Sequence, residues 1–576
     1  SAWRMNGDAK PSSEESPRPR LLSFNPLHLD PDKLLQAYGT FGRFQLVSFT
    51  LAIAPSLLYA ANMMVMPFVA EEADDFSCHL RNNSQLALNY TVLDRCTVQD
   101  VRTGSNHSCV SLLGSLTYFE YKGGSIDTIA KEFNLVCEES SMLEHGSSIY
   151  LAGTMASLVM STLSDRAGRR RTFLLTLWLL TAANLVVAFS PNYYFFLVLR
   201  AVAGFGAGGN GGVAAIMYTE AVAREFRDFI GVVGAFFWVA GYFLAGGARL
   251  LFVNWRWVYV CVSAPALLTI PYIWFLPESL YWMLQTGRED GVHRYIRSAT
   301  RMNGPPSVPF RDCRVERPKE LQSTSLLKAI RNPWLLLQFV IGCIVAIDMN
   351  LTYWALSLFS TDLSEDKMTG FFLSGLIEIP AGIATYFFLR SMRRKVVTTS
   401  MLTLTGSCIL AAIYIPSKAS WTMIFPLMAK MFNSIAWASM PLSLSEMAPT
   451  TIRNTFCGCI WFVGDLGSVA SPYLQLLKGM SPDAPLVLIC VLSFISAALA
   501  LLQTDTTGKE MVANMSDFDG GPLANLFGGT KRKRASTTRR TPHANAQQNV
   551  NEERREEEEK RMIPMLEVAE SVEARE

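Results

Sequence analysis

The sequence predicts an all-α membrane protein whose 12 transmembrane helices form two pseudo-symmetric six-helix halves. Three observations support this fold class. Half of the 576 residues are hydrophobic and only 17% are charged, which is an apolar composition for a soluble protein of this length. Twelve apolar stretches are long enough to cross a bilayer, and charged motifs recur at a nearly constant separation in the two halves.

The apolar stretches come first, because a helix crosses the hydrocarbon core in about 20 residues. We number them as spans 1 to 12, at residues 44–66, 147–164, 173–190, 193–219, 229–251, 257–276, 333–359, 370–390, 396–416, 421–445, 455–478 and 484–503. They define an N-terminal half (44–276) and a C-terminal half (333–503). The other segments are an N-terminal segment (1–43), a loop (67–146), a linker (277–332) and a tail (504–576) that we expect to be disordered.

The internal repeat appears where spans 4 and 10 end. Glu220 is followed seven residues later by Arg227, and Glu446 is followed seven later by Arg453, 226 residues further along the chain. The segment 165–170 after span 2 aligns with 389–394 after span 8 at a separation of 224 residues. Parallel repeats of this kind are typical of transporters with a solute site near the membrane midplane, between the halves.

Basic clusters predict the orientation, because lysine and arginine collect on the cytoplasmic side of membrane segments. The tightest clusters lie at residues 166–171 after span 2 and 393–395 after span 8. Counting spans outward from these clusters places both termini in the cytoplasm. The loop 67–146 is then extracellular.

The loop has two further features of an extracellular segment. Asn82, Asn89 and Asn106 each begin a glycosylation sequon. The loop also holds an even number of cysteines, which predicts two disulfides and leaves three pairings open; they are Cys78, Cys96, Cys109 and Cys137.

Other classes of function have little support. A net charge of +2 does not indicate nucleic-acid binding, and the six histidines lack metal-ligand spacing. No nucleotide loop or nucleophile triad stands out. We expect neither an enzyme nor a metal, nucleotide or other cofactor, and the lipid bilayer is the expected partner.

Ionisable residues within the spans are costly in lipid and mark a solute pathway or an internal ion pair. The acids are Asp348, Glu378 and Asp465, and the main bases are Arg200 and Lys430. Pairing with one of these bases is the alternative to a solute-binding role for Glu378 and Asp465. The role of Asp348 stays open.

Four short motifs carry a family resemblance. They are Glu-Phe-Asn-Leu-Val-Cys at 132–137, Asp-Arg-Ala-Gly-Arg-Arg at 165–170, Asn-Trp-Arg-Trp at 254–257 and Pro-Glu-Ser at 277–279. Together with the long loop, they resemble the organic cation transporters of solute carrier family 22, within the major facilitator superfamily. The chain departs from the family pattern at Ser161, at Leu280-Tyr281, and in the second-half motif at Leu389 and Met392.

The resemblance implies a polyspecific uniporter that moves small organic cations across the plasma membrane by alternating access, driven by the membrane potential. Such a carrier is expected to act as a monomer. Asp465 matches an acid of the cation members, where the anion and carnitine branches tend to have arginine. Trp461 shares its helix face, and Tyr353 and Glu378 match family positions. Trp437 and Trp238 are further candidates for solute contact.

The resemblance also implies a set of residues at the cytoplasmic ends of the spans whose charged members form ion pairs that break and re-form during transport. We call them the gating candidates. The candidate residues are Asp165, Arg166, Gly168, Arg169, Glu220, Arg227, Glu278, Glu446 and Arg453. Static anchoring of helix ends is the alternative for this set. Two rival functions remain: an organic anion or zwitterion carrier that uses Arg200 or Lys430, and a transporter-like receptor that does not transport.

Overall fold

The computed structural model describes residues 28–39, 42–73, 76–81, 90–114, 116–121, 127–309, 313, 331–362, 366–415, 420–449, 452–507, 518 and 520–522. All twelve predicted spans are helical, which confirms the predicted fold class. The helices of the N-terminal half are Arg43–Ile53, Ser56–Met64 and Met66–Val69 (span 1), Leu143–Thr154 and Ser157–Ala167 (span 2), Arg169–Val187 (span 3), Tyr193–Ala221 (span 4), Ile230–Leu251 (span 5), and Trp255–Ser263 and Tyr272–Phe275 (span 6).

The C-terminal half repeats this arrangement. Its helices are Pro333–Leu358 (span 7), Lys367–Leu376 and Glu378–Ser391 (span 8), Arg394–Tyr414 (span 9), Ile424–Met447 (span 10), Arg453–Ala470 (span 11) and Ala484–Ala500 (span 12). Within the described residues, seven helical segments are long and apolar enough to cross a membrane on their own. Spans 11 and 12 are shorter apolar helices. Spans 4 and 10 each carry a buried basic residue.

Side-chain caps begin several of these helices. Asn192, Asn254 and Asn332 accept hydrogen bonds from the backbone N–H groups of Phe195, Arg256 and Trp334. These caps satisfy donors that have no partner within the helix.

Glycines allow two helix pairs to pack backbone against backbone. A Cβ on Gly204 or Gly208 of span 4 would collide with the carbonyl oxygens of Tyr150 or Thr154 in span 2. Gly467 of span 11 lies in the same way against Ile347 of span 7. Close approach of this kind drives helix association where the solvent is lipid.

The loop adds strands to an otherwise helical molecule. Phe76–Leu80 (β1) pairs antiparallel with Thr117–Tyr121 (β5), and a second sheet contains Tyr90–Val92 (β2), Thr97–Asp100 (β3) and Asn106–Ser108 (β4). Disulfides join Cys78 to Cys109 and Cys96 to Cys137, one of the three pairings left open by the sequence. Asn106 is exposed on β4, whereas Asn82 and Asn89 lie outside the described residues.

The N-terminal segment contributes a docked helix, Pro31–Ala37. Leu34 and Leu35 are fully buried against the linker helices Leu280–Gln285 and Glu289–Asn303, where Trp282 and Ile296 complete the core. The first residues of the tail are packed, whereas the sequence analysis expected the whole tail to be disordered. Thr506 donates to Glu446 Oε2 at 2.7 Å, and Thr507 accepts from the Arg394 N–H, so residues 504–507 pack on the C-terminal half.

The two halves meet at the end of the bundle that carries residues 67–146, here called the loop end. Phe68 packs on Phe371 with ring centroids 4.6 Å apart, and Glu71 forms an ion pair with Lys367. At the opposite end, called the linker end, Phe229 stacks on Tyr386 at 5.3 Å. Side chains of the two halves therefore contact each other at both ends of the interface.

Candidate functional site

Asp465 lies midway along span 11 and is half-buried. The Tyr59 hydroxyl of span 1 lies within electrostatic range of its carboxylate. Gly458, seven residues earlier on the same face, is so close to span 2 that a Cβ there would lie 2.8 Å from Leu158 Cδ1. The Asp465 side chain therefore points to the interface between the halves and not to lipid.

Within the described part of the chain, no lysine or arginine forms an ion pair with Asp465. Arg200 is fully buried elsewhere, where it donates to the carbonyl oxygens of Gly146 and Asn62 and lies 4.2 Å from the centroid of the Tyr150 ring. The pairing with Arg200 that the sequence left open for Asp465 is absent from this conformation.

Aromatic side chains line the same interface. The rings of Tyr59 and Trp238 are 5.4 Å apart, those of Trp238 and Trp354 are 6.3 Å apart, and those of Trp354 and Tyr353 are 5.4 Å apart. This aromatic row brings the predicted Tyr353 and Trp238 into one cluster. The sequence analysis missed Tyr59 and Trp354, because an aromatic residue in an apolar span gives no sign of the side of the helix it occupies.

The other two predicted aromatics form a separate pair. Trp437 of span 10 and Trp461 of span 11 have ring centroids 5.4 Å apart. Trp461 lies one turn before Asp465, and Trp437 is 45% exposed. The pair lies within the C-terminal half, and no ring contact among the described residues joins it to the aromatic row.

Glu378 has a basic partner, which is the alternative that the sequence left open. Its Oε1 atom lies 3.3 Å from Lys430 Nζ, and both side chains are buried. Lys430 Nζ also donates to Tyr242 Oη at 2.8 Å and to the carbonyl oxygen and Oγ of Ser374 at 2.9 and 3.0 Å. We call Glu378, Tyr242, Tyr353 and Ser374 the ammonium cage, because they surround the Lys430 ammonium.

Asp348 occupies a different environment, inside the C-terminal half. It is 2% exposed, and Thr352 Oγ1 lies 3.3 Å from its Oδ1. Its other oxygen has no hydrogen-bond partner among the described residues. The structure does not bring Asp348 to the aromatic row.

At the linker end, an acid of span 4 is held by a basic residue of span 3. Arg169 pairs with Asp165 and lies 3.6 Å from Glu220, which also accepts from Ser279 Oγ. Glu278 accepts the backbone N–H of Arg170 at 2.9 Å, so the Pro-Glu-Ser motif is joined to the loop motif.

The C-terminal half repeats this pairing, since Glu446 of span 10 pairs with Arg394 of span 9. The other basic residues of the predicted set do not take part in this pairing of neighbouring spans. Arg227 pairs with Asp32 of the N-terminal segment at 3.0 Å, Arg166 is exposed, and Arg453 donates to the Ala448 carbonyl oxygen at 3.4 Å. None of these ion pairs, among the residues described, crosses between the halves.

The model of the Major Facilitator Superfamily matches residues 111–472, well over half of the chain. This chain belongs to the major facilitator superfamily. The fold agrees with that of the xylose transporter of Escherichia coli in a partially occluded inward-open conformation, with a TM-score of 0.57 at 13% identity over 81% of this chain and 99% of the other.

Three relatives are similar over most of their length. A Caenorhabditis elegans protein whose name gives it only as a transporter is 28% identical over 554 residues, 93% of each chain. The organic cation transporter protein of Drosophila melanogaster is 26% identical over 84% of this chain and 94% of its own. Solute carrier family 22 member 7 of Bos taurus is 29% identical over 68% and 73%. The resemblance to solute carrier family 22 is thereby confirmed, and the chain is a membrane transporter and not an enzyme.

Proposed function

We propose that this superfamily member carries small organic cations across the plasma membrane by rocking of its two halves about Asp465. The observation that carries the proposal is the charge of the site. Lys430 and Glu378 neutralise each other, whereas Asp465 faces the interface of the halves without a basic partner among the described residues. A lone carboxylate at this position favours a cargo with one positive charge.

The aromatic row supplies the second part of cation recognition. The face of an aromatic ring attracts an organic cation by about 0.5 to 2 kcal/mol. The Tyr59 hydroxyl lies within electrostatic range of Asp465, and the Tyr59 ring contacts Trp238, so a cation beside the carboxylate lies near both aromatic side chains. The Asp465 carboxylate and the aromatic rings both favour a cation over a neutral analogue of the same shape.

The membrane potential is a sufficient driving force. Moving one positive charge inward gains about 2.3 kcal/mol per 100 mV, which corresponds to roughly fifty-fold accumulation. The disulfide-bonded loop with the exposed Asn106 supports an extracellular loop end and cytoplasmic termini. In this orientation, the contacts of Phe68 with Phe371 and of Glu71 with Lys367 lie on the extracellular side.

The Asp465→Asn substitution tests the proposal. It keeps the shape of the side chain and removes the charge, so we expect uptake of a fluorescent organic cation into cells to fall to background while surface expression persists. Asp348→Asn is the matched control, because it makes the same change at a buried acid away from the aromatic row. Uptake that is unchanged in Asp465→Asn refutes the assignment.

A second candidate is an organic anion or zwitterion carrier. Arg200 favours it, since this fully buried guanidinium has one nitrogen, Nη2, without a hydrogen-bond partner among the described residues. Organic anions would then compete for uptake, and Arg200→Gln would remove that competition. Flux into proteoliposomes separates both carriers from a receptor that only binds.

A further inference from the structure

The environment of Lys430 has the chemistry of a binding site for an organic ammonium ion. Its ammonium group meets one carboxylate and three neutral oxygen acceptors, one of them Tyr242 Oη, and the ring centroids of Tyr242 and Tyr353 lie 4.6 and 5.4 Å away. Carboxylates and aromatic faces are the groups that recognise alkylammonium ligands in proteins. Beyond Cβ, the lysine side chain is equivalent to a propylammonium ion.

Burial makes this arrangement more than an incidental ion pair. Lys430 is 1% exposed and Glu378 is 8% exposed, so each charge would be strongly destabilised without the other. The ammonium is also bound by both halves, because Tyr242 belongs to span 5 and the other cage residues belong to spans 7 and 8. The ammonium cage is therefore complete only while the halves are in contact here.

The cage is continuous with the proposed cargo site. The aromatic row runs from Tyr59, whose hydroxyl lies within electrostatic range of Asp465, through Trp238 and Trp354 to Tyr353, one of the cage tyrosines. The aromatic row thus leads from a cargo beside Asp465 to the ammonium cage that contains Glu378. A second positive charge on that cargo would find this carboxylate already neutralised.

We propose that the ammonium cage is a second organic-ammonium site, that Lys430 occupies it as a tethered ligand, and that Lys430 thereby restricts cargo to a single positive charge. The existence of the site does not depend on transport. The restriction on cargo rests on the proposed function. In this scheme Lys430 is a specificity-determining residue, and Glu378 contacts cargo only when Lys430 is removed.

Binding of n-propylammonium to purified full-length Lys430→Ala protein tests the site. The substitution removes the three methylenes and the ammonium that n-propylammonium can replace, so the free ion is expected to raise the unfolding midpoint of the variant in a saturable way. The wild type, in which the cage is full, is expected to show only the smaller shift that binding at Asp465 produces. Lys478→Ala, the same change at a half-exposed lysine of the loop end, serves as the matched control.

Two further measurements identify the charge that the ligand needs and control for misfolding of the variant. Neutral n-propanol is expected to give no shift, because it lacks the charge that Glu378 requires. The double variant Lys430→Ala/Glu378→Gln has no buried charge left in the cage and is expected to fold and to respond to n-propylammonium no more than the wild type does. An equal shift in wild type and variant, an equal shift in the double variant, or failure of the ion to stabilise or recover Lys430→Ala would overturn the site.

Competition for cation uptake tests the restriction on cargo. Bis-ammonium compounds should inhibit Lys430→Gln about tenfold more strongly than wild type, which corresponds to about 1.4 kcal/mol, whereas monovalent inhibitors should be little affected. Equal selectivity in both proteins would overturn the restriction even if the cage binds n-propylammonium. Absence of any cation uptake by the wild type would instead contradict the proposed function and leave the binding result standing.

Discussion

Gly168 shows at the level of one residue why the loop motif contains glycine. Its φ angle is +105°, a conformation that strains any side chain, and a Cβ there would lie 2.8 Å from Glu278 Oε2 and 3.4 Å from the Trp282 ring. Glycine therefore lets the chain turn from span 2 into span 3 while Glu278 accepts the Arg170 N–H.

Gly168→Ala is expected to destabilise the protein through both effects. Backbone strain alone costs about 1 to 3 kcal/mol, and displacement of Glu278 adds to it. Gly287→Ala is the control, because its φ is +68° but no atom lies within 4 Å of the added Cβ. Thermal unfolding of the purified variants should show a larger loss of stability for Gly168→Ala than for Gly287→Ala. Equal losses would mean that the contact with Glu278 contributes nothing.

The sequence identified the charged residues of the spans but not their partners. Glu378 and Lys430 lie 52 residues apart, and nothing in either segment distinguishes an ion pair between them from a pair involving Arg200. Tyr242, the cage residue supplied by the other half, could not be predicted because its role depends on contact between the halves. Pairing across helices is a property of packing, which hydropathy does not encode.

Elements outside the membrane were predicted less well than the spans. The spans were found because a bilayer requires long apolar helices whose backbone groups are satisfied internally. The helix Pro31–Ala37 and the five strands of the loop are short, and their stability comes from docking and disulfides. Local sequence patterns therefore gave no comparable signal for them.

Glu144, in the first turn of the helix Leu143–Thr154 and three residues before the apolar stretch at 147–164, should make stability depend on pH. Burial raises its pKa to about 7 from 4.5; the nearby Glu72 and Asp362 raise it further, and Lys478 opposes them. The folded state thus binds more protons than the unfolded state between these values. Stability should therefore fall as pH rises from 4.5 to 7, by at most roughly 3 kcal/mol.

Unfolding midpoints of the purified protein across this pH range measure the effect. Glu144→Gln should flatten the dependence, because the amide stays neutral at every pH. Glu138→Gln, at an exposed acid two turns earlier, should leave the slope as in the wild type. A slope that survives Glu144→Gln would assign the pH dependence to other groups.

At the scale of the whole molecule, the internal repeat of the sequence corresponds to a repeat of interactions. Glu220 with Arg169 and Glu446 with Arg394 join the same pair of spans in each half. Among the described residues, none of the ion pairs formed by the gating candidates joins the two halves. An ion pair between the halves lies instead at the loop end, where Glu71 pairs with Lys367. Separation of the halves at that end must break it.

A covalent tie at this position tests whether the halves separate during transport. Crosslinking Glu71→Cys to Lys367→Cys should stop cation uptake, because the loop end could no longer open. Asp362→Cys with Lys478→Cys is the matched control, since this ion pair of 2.7 Å lies at the same end but within one half. Its crosslink should leave uptake intact. Full activity of the crosslinked Glu71→Cys/Lys367→Cys protein would show that cargo reaches Asp465 without separation of the halves at the loop end.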